Sequence, residues 1–79
     1  MLAQILEHFP EEELLKANGF DDAIIGVDQQ SMRLIYSVKK CLRILMKEMN
    51  YDDAVEYFHF NVSGSHMGGK TPIWCEDEF

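Results

Sequence analysis

Apolar residues recur at the start of the chain as Leu2, Ile5, Leu6 and Phe9, the spacing that lines one face of a helix. The same face then meets Glu12 and Glu13, and Pro10 lacks the N–H that would continue the ladder, so a first helix is expected to break at Phe9. Pro10 with Glu11, Glu12 and Glu13 reads as a fresh helix start, because proline is tolerated in a first turn and carboxylates favour the positive end of the helix dipole. This second helix is predicted to stop at Asn18-Gly19, where glycine can adopt the left-handed cap conformation.

The periodicity then changes. Ala23 to Asp28 is short and rich in Ile and Val, and a turn-forming Asp28-Gln29-Gln30-Ser31 separates it from a second apolar stretch, Arg33 to Tyr36. A two-stranded hairpin is the simplest reading. From Val38, positions 38, 41, 42, 45, 46 and 49 form an unbroken helical stripe, with Ser37 as N-cap and Asn50 ending that helix and capping the next. Tyr51, Ala54, Val55 and Phe58 mark the buried face of the following helix, Gly64 stops it, and Ile73 to Glu76 forms a last strand. The predicted fold class is α+β: a small, mainly antiparallel sheet of about three strands with helices packed on one face. Residues 1–79 are read as a single domain, with an N-terminal helical segment over 1–19 and a strand-strand-helix-helix-strand core over 20–79.

Composition narrows the function classes. A chain of 79 residues with 47% apolar side chains is too short for a multi-domain enzyme and too apolar for a disordered acidic tail. No apolar run reaches the roughly 18 residues of a membrane span. Met1 to Glu13 carries four glutamates and no basic leader, so neither a secretory signal nor a transit peptide is expected, and the predicted location is cytoplasmic. Cys41 and Cys75 have no C-x-x-C spacing and are expected to be reduced thiols in or near the core. A domain this small buries only about 60% of its unfolded surface, and three short strands leave open edges. Both considerations favour a homo-oligomer, and Leu2, Ile5, Leu6 and Phe9 are the candidate interface.

Charge is uneven along the chain. Residues 1–30 carry seven acids against one lysine, residues 31–50 five bases against one acid, and residues 51–79 six acids against one lysine, for a net charge of −7. The basic island puts Lys40, Arg43 and Lys47 on one side of the central helix, with Lys39 nearby. Lys39 and Lys40 sit in the first turn, where cations oppose the helix dipole, so either carboxylates of the protein compensate or an anionic ligand does. Lys39, Lys40 and Arg43, with Lys70, are therefore the candidate anion site of an alternative function, binding phosphate or nucleic acid through the basic face of helix 38–49. The overall negative charge counts against nucleic acid, and the helix pair fails as a helix-turn-helix, because Asp52, Asp53 and Glu56 lie at the end that would approach the bases.

Gly64-Ser65-His66-Met67-Gly68-Gly69-Lys70-Thr71 matches the phosphate-binding loop pattern. That loop works at the N-terminus of a following helix, whereas Pro72 and a strand-like stretch follow here, and no later segment can supply the magnesium-binding acid. A flexible glycine connection is the preferred reading. Glu56 and His59 have the i, i+3 spacing of carboxylate-bridged metal bundles, but a second such pair is missing, and His8, His59 and His66 are scattered. No metal, cofactor or catalytic residue is assigned, and the chain is read as a non-enzyme.

Asp22-Ala23-Ile24-Ile25-Gly26, Glu56-Tyr57-Phe58 with Asn61 and Gly64, and Lys70-Thr71-Pro72-Ile73-Trp74 together resemble a group of small uncharacterised proteins encoded by tailed phages, particularly marine, cyanophage-like ones. The similarity runs from Phe20 to Cys75 and leaves the N-terminal segment outside it. In that group the residue before the lysine is not dependably glycine, which weakens the phosphate-loop match further. The resemblance implies a phage gene product acting in bacterial cytoplasm, with a host or phage protein as a candidate partner, and it brings no activity with it. The function expected is a non-enzymatic, self-associating protein-interaction module.

Overall fold

A computed structural model of the chain describes residues 1–64 and 68–78. Helix α1 covers Leu2–His8 and ends at Phe9, whose N–H still reaches the Ile5 carbonyl at 2.9 Å. The helix expected from Pro10 to Asn18 does not form: the segment turns once, with Glu12 N–H bonded to the Phe9 carbonyl, and then runs without regular structure. A long-range bond competes with a helix there: the Ala17 N–H donates to the phenolic oxygen of Tyr36 at 2.8 Å instead of to a carbonyl one turn back. Leu14 packs on the core from this extended path, and Gly19 takes the left-handed conformation expected of it, with φ of +89°.

After a 3-10 turn at Asp21–Ala23 the hairpin follows, with strands β1 (Ile24–Asp28) and β2 (Arg33–Ser37). Ile24 pairs with Tyr36, and Val27 with Leu34, across a bulge at Ile25. The extra residue brings Ile24 and Val27 to the same face although they are three apart, which a regular strand would not do. The turn is tied by Ser31, whose hydroxyl donates to the Asp28 carboxylate at 2.5 Å, and this bond holds the Asp28 carboxyl below its usual range. Met32 closes the turn at φ +53°, a left-handed conformation more often occupied by glycine.

Helix α2 (Val38–Leu45) starts directly on β2, with Ser37 Oγ accepting from the Lys40 N–H, and α3 (Tyr51–Tyr57) starts with Asn50 Oδ1 accepting from the Asp53 N–H. Both caps fall where side-chain chemistry places them. Strand β3 (Ile73–Cys75) lies beside β2, giving the order β1-β2-β3. The fold is thus α+β with a mixed sheet, antiparallel in its longer pairing and parallel in the β2–β3 pairing.

One hydrophobic cluster joins these elements, from Ile5 of α1 through Leu34 and Tyr36 of β2 to Cys41, Ala54 and Phe58. The Trp74 ring bridges Tyr36, 5.1 Å away, and Phe58, 5.4 Å away and edge-on, which fastens the sheet to the second helical layer. Its indole N–H is buried without a hydrogen-bond partner among the described residues. Among those residues no helix is long and apolar enough to cross a membrane.

Candidate functional site

The N-terminal stripe proposed as an interface is mostly spent within the molecule. Ile5 is buried, Leu2 and Phe9 pack partly buried on the core, and Leu6 remains exposed. One cation of the basic helix face, Arg43, and the cap residue Ser37 are engaged by the chain's own acidic segment after β3. Asp77 accepts from Ser37 Oγ at 2.6 Å at the N-terminal end of α2, and Glu78 makes a two-pronged ion pair with Arg43, which pushes the guanidinium pKa up. The carboxylate at the cap offsets the unfavourable placement of Lys39 and Lys40 in the first turn. Lys40, Arg43 and Lys47 border, with Asp22 and Ile44, a shallow hollow of about 210 Å³.

Lys70 does not join the other cations. Its ammonium reaches the Ser31 carbonyl at 3.5 Å and lies 4.0 Å from the Glu12 carboxylate, at the hairpin turn. Thr71 Oγ1 donates to the Gly68 carbonyl at 2.7 Å, and Pro72 and β3 follow in place of a helix. The lysine and hydroxyl of the phosphate-loop pattern are therefore committed to intramolecular bonds; the middle of that pattern, residues 65–67, lies outside the described residues. Among the described residues no group of three or more His, Cys, Asp or Glu side chains converges at metal-binding distance. Cys41 is fully buried and burial pushes its thiol up to about 12, so it stays protonated, while Cys75 is partly exposed; both are free.

The surface that sequence reading missed lies on the α2–α3 side. The α3 helix buries Ala54 and Phe58 and then widens into a π-helical turn over Phe58–Val62, in which the Ser63 N–H bonds back to the Phe58 carbonyl at 2.8 Å. Val62, four residues after Phe58, stays in the core, and Phe60, two residues from each, faces outward and is 77% exposed. Tyr51, expected on the buried face, is also exposed, as are Tyr57 and Met46. Met46 belongs to the α2 stripe in sequence, but α2 ends at Leu45 and i, i+3 turns take over, so Met46 leaves the core face.

Tyr57 and Phe60 border two adjoining concavities. One, of about 500 Å³, lies between the Ala17–Phe20 turn, the end of α2 and the π-helical turn; Phe20, Ile44, Leu45 and Val62 line it, with Lys47 and Glu48. The second, of about 540 Å³, is formed by Met49, Phe60 and the carboxylate-bearing Asp53 and Glu56. Tyr57 and Asn61 belong to both and separate them. The first combines apolar Phe20, Ile44, Leu45 and Val62 with polar Asn18 and Asn61 and charged Lys47 and Glu48. A signal for the outward placement of Phe60 was present in the sequence: it lies two residues from both Phe58 and Val62, on the side of a helix opposite the stripe of Ala54, Phe58 and Val62.

Comparison with protein-family models, with curated proteins and with solved structures finds no match to this chain.

Proposed function

We propose that this chain is a non-enzymatic protein-interaction module that associates with itself. The observation that carries the reading is the α2–α3 surface, where exposed Phe60 and Tyr57 line adjoining concavities of about 540 and 500 Å³. Aromatic residues and methionine are the side chains enriched at the centres of protein interfaces, and a large exposed ring next to a groove costs solvation unless a partner covers it. In the setting implied by the resemblance to phage proteins, the module works in bacterial cytoplasm, and a host or phage protein is a further partner. Sedimentation equilibrium across a wide concentration range tests the reading. A mass rising above that of one chain supports it; a single monomeric mass at every concentration contradicts it.

A second reading is favoured by one observation: Lys40 and Lys47 border the hollow on α2 without an ion-pair partner among the described residues. Phosphate or an acidic ligand would then bind there, competing with Glu78 for Arg43. Binding of labelled RNA or inorganic phosphate that falls steeply with salt supports this second reading, and no binding at low salt excludes it.

A further inference from the structure

We propose that Glu78 gates the cationic hollow on α2, so that the hollow takes a doubly charged anion, a phosphate group, and turns away singly charged ones. The inference rests on the second reading above and names the control and selectivity of that site. Parallel pairing sets the gate in place: Cys75 of β3 stands opposite Ser37 of β2, so the chain leaves β3 beside the start of α2. Asp77 then accepts from the buried Ser37 hydroxyl at 2.6 Å, which anchors the segment. The next residue, Glu78, takes both terminal nitrogens of Arg43, Nη1 at 3.0 Å. That fork grips a carboxylate and a phosphate by the same two-pronged geometry, so Glu78 and a phosphate group exclude one another there.

Glu78 satisfies only part of this positive surface. Lys40, Arg43 and Lys47 line the hollow with Ile44 and a single acid, Asp22, and neither lysine has an ion-pair partner among the described residues. Three cations against one acid leave two positive charges once Glu78 moves away. A free monocarboxylate gains from Arg43 only what Glu78 already supplies, and Glu78 competes as a tethered group at the millimolar effective concentration of a short linkage. It therefore stays out. A phosphate dianion matches the two charges that the open hollow presents. The pair that it breaks is exposed at both partners, so displacing Glu78 weakens phosphate binding by no more than about fivefold. At about 210 Å³ the hollow is smaller than the roughly 300–1,000 Å³ of sites that enclose drug-sized ligands, so it admits a phosphate group and not the body of a larger molecule.

Amide NMR of the whole labelled chain, titrated at pH 8 and constant ionic strength with inorganic phosphate and separately with acetate, tests this. Phosphate is expected to shift the amides of residues 40–47 and of Glu78 to saturation, and acetate to leave them unchanged. Glu78→Gln is expected to tighten phosphate by about threefold to fivefold and to let acetate bind, with the melting temperature unchanged because the lost pair is exposed. Glu76→Gln makes the same charge change at an exposed neighbour and should alter affinity by less than about twofold. In an Arg43→Gln background Glu78→Gln should do no more than Glu76→Gln, because the contact that couples them is gone. Phosphate binding that responds equally to Glu78→Gln and Glu76→Gln, that tightens with Glu78→Gln even without Arg43, or that acetate matches in the wild type overturns the gate and leaves the anion site standing. No phosphate binding by either the wild type or Glu78→Gln overturns both.

Discussion

Replacing Tyr36 by Phe isolates one long-range hydrogen bond that decides the path of the N-terminal segment. The Tyr36 side chain is fully buried, and its hydroxyl accepts from the Ala17 N–H at 2.8 Å across nineteen residues of sequence. Phenylalanine keeps the ring and its packing 5.1 Å from Trp74, so the change deletes the acceptor and little else. Ala17 is itself only 7% exposed, and its amide then lies buried and unpaired, which costs about 1–3 kcal/mol. For a domain of this size total stability is roughly 4–12 kcal/mol, so the loss is a large share of it. The corresponding drop in melting temperature is roughly 4–24 °C. Urea denaturation followed by circular dichroism reads the stability change, with an unchanged m-value expected. Hydrogen exchange adds a local readout, because the Ala17 amide is protected in the wild type and should exchange freely in the variant. A stability change under about 0.5 kcal/mol with Ala17 still protected would refute the reasoning, since the amide would then have another acceptor.

The two helix caps should rank by burial. Ser37→Ala removes an acceptor for the Lys40 N–H and a donor to Asp77 at a fully buried site, and is expected to cost about 1–2 kcal/mol in urea unfolding, whereas Asn50→Ala at an exposed cap costs about 1 kcal/mol or less. Gly64→Ala places a Cβ 2.7 Å from the His59 carbonyl and 3.3 Å from that of Phe60; backbone cannot yield cheaply, so a loss of roughly 1–3 kcal/mol is expected in the same assay. Iodoacetamide at pH 8 should label Cys75 in the folded protein and spare Cys41 until denaturant is added, as intact-mass measurement would show. The Cys41 thiol, pushed from its ordinary 9.0 to about 12, leaves stability untouched below pH 9 and lowers it as pH rises from 9 toward 12, so a Cys41→Ala variant should lose that alkaline slope even though its smaller side chain weakens the core.

Features set by neighbouring residues are legible in the amino-acid sequence. The stop at Phe9, the Asp28–Ser31 turn, and the caps at Ser37 and Asn50 each need only a few adjacent side chains, and each appears where local chemistry puts it. What escapes depends on distant partners. Residues 10–18 have helix-forming composition, but Tyr36 claims an amide there, and periodicity does not register a competitor nineteen positions away. The pairing of Asp77 with Ser37 and of Glu78 with Arg43 spans 40 and 35 residues, so the sequence calls for carboxylates beside the basic island without saying which ones supply them. Leu2, Ile5 and Phe9 seem surplus only because the core they help to close cannot be assembled from the pattern. Phe60 faces away from the Ala54, Phe58 and Val62 stripe under an α-helical or a π-helical period, but its exposure beside a concavity is set by packing against other elements, which periodicity does not register.

A dilution series of amide NMR spectra on the uniformly labelled chain addresses the central claim, that this protein works by presenting the α2–α3 surface to another copy. The account predicts concentration-dependent shifts confined to residues 44–49 and 53–62 with the Ala17–Phe20 turn, vanishing together on dilution, while the hairpin stays constant. Spectra that do not change with concentration, or changes centred on the strands or on α1, would contradict it.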